Sequence, residues 1–87
     1  MPHRKTSPTP ETPVEELWNL GDLSGGWLRD EGITNFSELC EADLVQLYRA
    51  LRAKHKQASR LMYYAMVGAV LNIHWNQIPE EERTRKI

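Results

Sequence analysis

The chain has 87 residues, enough for one small domain and too few for two. Hydrophobic residues make up 40% and charged residues 26%, an ordinary globular balance, and 11 Lys+Arg against 12 Asp+Glu leave a formal net charge of −1, which excludes attachment to DNA by bulk charge alone. A single cysteine excludes an internal disulfide and points to a reducing cytoplasm.

The chain opens on MPHRKTSPTPETP, which holds four of the five prolines. No apolar stretch follows Arg4 and Lys5, so this is not a signal peptide. With almost nothing to bury, residues 1–13 are expected to form a disordered leader ahead of a single folded domain over 14–87. The longest apolar run, residues 61–71, is well short of the about 20 residues that span a bilayer, and reads as a buried core helix.

Ordered structure is expected from Val14. VEELWNLG predicts a short helix with Val14, Leu17 and Trp18 on one face and Gly21 as its left-handed exit. Ser24 is the expected N-cap of a second helix, GGWLRDE, which Gly25 and Gly26 weaken by roughly 1 kcal/mol each relative to alanine. Gly32 ends it and Ile33 tucks back beneath. Thr34 caps a third helix with Phe36 and Leu39 inward. A fourth runs over residues 42–56, where Leu44, Leu47, Tyr48 and Leu51 form an apolar stripe. Ser59 caps a fifth helix over residues 60–73, apolar nearly all round and therefore central, with Gly68 marking a close approach. Trp75 and Ile78 close the core, and Pro79 opens a last helix with acids first and bases last, as the helix dipole favours. No strand alternation is present. The expected fold is all-α: a compact bundle of five or six short helices, its core supplied largely by three tryptophans and the fifth helix.

Residues 17–39 read as helix, tight turn at Asn19-Leu20-Gly21, capped helix, Gly-Ile turn and capped helix, the order of a helix-hairpin-helix unit. Such a turn presents backbone N–H groups at a helix start, where the dipole also favours an anion, so Gly21, Ser24 and Gly25 are candidate contact residues. The series continues with EGIT, YRAL, LMYYAMVGAV and HWNQIP. Together these motifs resemble the C-terminal domain of the TfoX/Sxy family over residues 17–83. The resemblance implies a bacterial cytoplasmic regulator of DNA-uptake competence, co-activating transcription beside a global activator protein. Two-domain members carry an α/β domain ahead of this one; with the leader in that place, a stand-alone domain is the expectation here. Where the family often has Pro and then a basic or polar residue after N-L-G, this chain has Asp22 and Leu23, and the carboxylate opposes phosphate at the hairpin.

Charge is unevenly distributed. Residues 11–43 carry nine acids against one base, Arg29, whereas residues 44–60 carry five bases and no acid. Arg49, Arg52 and Lys56 fall on one flank of the fourth helix. They read either as a phosphate-contacting strip or as a solvated face paired with the acidic half of the same domain. The same polarity suits head-to-tail self-association.

Cys40, His55 and His74 have neither the spacing nor a third orienting group for nucleophilic catalysis, and with His3 they fit no zinc pattern. Cys40 reads as a half-buried structural residue, and His55 as the end of the fourth helix's apolar face. GDLSGG lacks the spacing of a nucleotide loop. The expectation is a non-enzymatic protein with no cofactor, metal or membrane contact. It acts mainly on a protein partner, a transcription activator by the resemblance. The alternatives are a SAM-like oligomerising module, suggested by Trp18, Leu20, Trp27, Ile33, Leu39 and Leu44, and a weak DNA binder using the hairpin and the basic helix.

Overall fold

The computed structural model describes residues 7–87, so the first six residues of the expected leader lie outside the described residues. Five α-helices follow one another: α1 (Asp22–Asp30), α2 (Phe36–Glu41), α3 (Leu44–Lys54), α4 (Arg60–Leu71) and α5 (Glu80–Arg83). Short 3-10 turns at Val14–Glu16 and Trp75–Gln77 complete the bundle, and no strand forms among the described residues.

α4 is the central element, as its all-round apolarity requires. Met62, Tyr63, Ala65, Met66, Val67, Gly68 and Ala69 are all buried. Around it close Val14, Leu17, Leu20, Leu28, Leu39, Tyr48 and Leu51, each at most 1% exposed. Fully burying a side chain of this size contributes about 1.5–3 kcal/mol, so these few positions dominate the stability of so small a domain. The tryptophans contribute less than expected. None is fully buried: Trp27 stacks on His55 at 4.5 Å between ring centroids, while Trp18 and Trp75 flank His74.

Order begins before Val14. Phe36 N donates to Thr12 O and Ser37 N to Pro10 O, while Val14 N donates to Thr34 O. Thr12 is 6% exposed. The end of the proline-rich stretch thus lies along the entry to α2, although its composition gives little to bury. Prolines lack the N–H, but their carbonyls still accept, as Pro10 O does from Ser37 N and Pro13 O from Glu16 N.

The cap chemistry shifts several expected boundaries by a residue. Asn35, not Thr34, caps α2, accepting from Glu38 N at 2.9 Å; Glu38 reaches back to accept from both Thr34 N and Thr34 Oγ1. Asp43 caps α3 by accepting from Val45 N and Gln46 N. Ser59 caps α4 as expected, accepting from Leu61 N. Pro79 is the N-cap of α5, one place ahead of the expected first helical position. At the end of α1, Ile33 N donates to Leu28 O and Gly32 N to Arg29 O, with Gly32 at φ 85, a Schellman ending.

The left-handed residue before α1 is Asn19 at φ 70, not Gly21, which is extended at φ −147. Asn19 tolerates this conformation better than most side chains, and its amide turns the turn into a latch. Its Nδ2 donates to Ile73 O at 3.0 Å and to Ala65 O at 3.4 Å, and its Oδ1 accepts from Trp75 N at 3.0 Å. Gly68 makes room for it: a Cβ there would collide with Asn19 Nδ2 and lie 2.8 Å from Ile73 O. The close approach predicted at Gly68 is real, and its neighbours are the Asn19 side chain and the turn after α4.

Candidate functional site

The hairpin, the basic flank of α3 and an apolar groove against α4 are the three surfaces with chemical character. At the hairpin, Gly21 is the N-cap of α1, and Ser24 sits in its first turn instead of capping it. Ser24 Oγ accepts from Gly21 N at 3.2 Å, and Gly25 N donates to Gly21 O at 2.7 Å. Two of the amides proposed for anion contact are therefore satisfied internally. Gly25 is buried because the side chain of Glu15 lies where its Cβ would be. Arg29 holds that Glu15 carboxylate with Nε and Nη2, and the pairing pulls its pKa below the ordinary carboxylate value. Asp22 stands exposed in the first turn. Asp22 thus sits where the helix dipole favours a carboxylate, whereas the Glu15 carboxylate is held against α1 by Arg29 in its last turn.

Arg49, Arg52 and Lys56 are all exposed, and none forms an ion pair with another described residue. Lys54 does pair, with Glu31, which raises its pKa. Pairing with the acidic half thus holds for one base of the strip and not for the three on the expected flank. Arg52 and Lys56 share a cleft of about 380 Å³ with Tyr48, Ala58, Ser59 and Arg60. No hairpin residue lines this cleft, so the hairpin and the basic strip are separate surfaces.

The groove is the surface that sequence reasoning missed. It has a volume of about 370 Å³ and lies between the start of α3, the outer side of α4 and α5. Leu44, Val45, Val67, Val70, Leu71 and Pro79 supply its apolar wall. Leu71 remains 48% exposed there, and Asp43 marks one rim. The opposite rim is a fixed polar relay. Tyr63 Oη donates to Glu82 Oε1 at 2.7 Å, and Arg85 donates to both Glu82 oxygens. Burial, then the bond to Glu82, pushes the Tyr63 hydroxyl up to about 12. Glu82 is held below its ordinary value by Arg85 and then by Tyr63. A signal for the groove was present: α4 is apolar on more sides than four short neighbours can cover.

The remaining candidates for reactive chemistry are not assembled. Cys40 is exposed, not half-buried as expected, and desolvation followed by Glu41 raises its thiol pKa, the opposite of an activated nucleophile. His55 ends α3 against Trp27, in keeping with its place on the apolar face, and its Nε2 is buried without a hydrogen-bond partner among the described residues. His74 Nδ1 is taken up by Asn76. Among the described residues no group of three His, Cys, Asp or Glu is placed to hold a metal ion, and no helix is long and apolar enough to cross a membrane.

A short leading turn latched by an asparagine to a central apolar helix, with four further helices packed around it, defines a small all-helical domain whose distinguishing features are surfaces. The chain belongs to the TfoX C-terminal domain family, whose family model matches residues 11–85. The family motifs coincide with the latch: Asn19 of NLG, Gly68 of VGA and Trp75 of HWNQIP are the residues that meet there. No curated protein and no solved structure gives a match.

Proposed function

We propose that this chain is a non-enzymatic regulatory domain that acts mainly through protein contact, and that the α3–α4–α5 groove is where it docks its partner. The partner class is a transcription activator, in line with the competence role that family membership suggests. The observation that supports the reading is the groove itself: a preformed apolar channel in which Leu71 stands half exposed beside Val67 and Val70. A concave apolar wall with a few fixed polar groups at its rim is the usual form of a peptide-binding surface. Asp43 at the rim favours an aliphatic anchor followed by a cation.

Leu71→Glu tests the proposal. The side chain is exposed enough to be replaced without opening the core, and a charge there faces any apolar anchor. Titration calorimetry against the global transcription activator of the same cell is expected to show at least a tenfold weaker affinity for the variant, with its melting temperature nearly unchanged. Equal affinity for the two proteins would reject the groove as the docking site.

A further inference from the structure

The corner where α3 meets α4 gathers positive charge without an acid to balance it. Arg52 and Lys56 face the cleft unpaired, and Arg60 forms its third side. Arg60 is fixed in place: Nη2 donates to Arg83 O and Arg85 O, each at 2.8 Å, and Nε donates to the Tyr64 hydroxyl at 3.1 Å. The guanidinium groups of Arg60 and Arg83 each lie 5.7 Å from the centre of the Tyr64 ring, which brings a fourth cation alongside. Among the described residues no carboxylate lines the cleft, and the first turn of α4 carries no acid. Cations crowded in this way repel one another, and the positive end of α4 adds to the repulsion. An external anion relieves it.

We propose that this corner contacts the phosphodiester backbone of a nucleic acid, through Arg52, Lys56 and Arg60 with Arg49 extending the strip. The arrangement suits a polyanion more than a single phosphate. Arg49 and Arg52 lie one turn apart on α3, which ends at Lys54 and not at Lys56 as expected, and Lys56 follows in the turn beyond; Arg49 stays outside the cleft that Arg52 and Lys56 share, so the bases do not converge on one point. All three are exposed, as groups that follow a strand must be. The contact reads no bases, since the cleft offers charge and little else, and the hairpin with its own Asp22 carboxylate takes no part in it. It is independent of the groove, so either proposal can fail without the other.

The test is an anisotropy titration of the intact chain against a labelled duplex of about 20 base pairs and arbitrary sequence. Three to four phosphate contacts predict an affinity that falls roughly 40- to 150-fold between about 50 and 200 mM salt. Arg52→Glu/Lys56→Glu is expected to weaken binding at low salt by at least about tenfold, and the neutral pair Arg52→Gln/Lys56→Gln by less. Amide shifts should appear at Arg49, Arg52, Lys56 and residues 59–62. Unchanged binding in the reversed variant, or shifts confined to residues 21–26, would overturn the proposal. So would inorganic phosphate that reproduces the shifts and displaces the duplex at low millimolar concentration, because the corner would then be a single-anion site. A rise in mass with concentration, seen without DNA and lost in the reversed variant, would assign the strip to self-association and overturn it as well.

Discussion

Asn19 does more for this fold than any other polar side chain. Three hydrogen bonds join it to the middle of α4 and to the turn beyond that helix, across 46 to 56 residues of sequence. Asn19→Ala leaves Ile73 O and Trp75 N without their partner, and is expected to cost about 2–3 kcal/mol in urea denaturation. Gly68→Ala should also destabilise, although alanine is the better helix former by about 1 kcal/mol, because the new Cβ meets Asn19 and the Ile73 carbonyl. The two losses should be less than additive, since removing Asn19 removes one of the two collisions. A second residue-scale expectation concerns pH. Tyr63 holds its proton to about 12 in the folded chain and to its ordinary value of 10.0 when unfolded. Between those values the unfolded chain releases a proton that the folded chain keeps, so stability falls as pH rises through this range. Tyr63→Phe should flatten that part of the curve in thermal melts taken from pH 9 to 12. At the acid end the sign reverses: Glu15, Glu38 and Glu82 are held below their ordinary values, so their contribution is present above about pH 4.5 and lost as pH falls through the folded values.

Helix types and order were legible because each helix carries its own stripe and its own stop. Gly32 had to end α1, Ser59 had to start α4, and Leu47, Tyr48 and Leu51 had to face inward. What the one-dimensional pattern misplaced were choices between adjacent residues of similar chemistry. Thr34 and Asn35 can both cap a helix, and the Asn35 side chain accepts from Glu38 N while Glu38 satisfies Thr34. Asn19 and Gly21 can both adopt a left-handed turn, and the one able to bond across the fold takes it. Ser24 looked like a cap by its residue type, yet Gly21 starts the helix and Ser24 closes the cap from inside. Ser59→Ala should cost about 1 kcal/mol by chemical denaturation, since Ser59 is the side-chain cap of the helix on which the core is built. A change below about 0.3 kcal/mol would show that α4 is held by packing alone.

At the scale of the whole molecule, the charge asymmetry in the sequence became two separate surfaces. The acidic half supplies partners for Arg29 and Lys54 and, among the described residues, leaves Arg49, Arg52 and Lys56 unpaired. The hairpin was the most visible motif, and its glycines serve packing: Gly25 admits Glu15, and Asn19 ties the turn down. The groove escaped notice because its residues come from three elements, and only their meeting makes a concave wall. The tryptophans were assigned to the core by size, but the core closes around leucines and the rings of Tyr48 and Tyr63, and all three tryptophans are left partly buried.

The measurement that bears most directly on the central claim is a methyl NMR titration of the labelled chain with the transcription activator. Shifts are expected at the methyl groups of Val67, Val70 and Leu71, and at neither valine in Leu71→Glu. Shifts confined to the basic corner or to residues 21–26, with the groove methyls still, would contradict it.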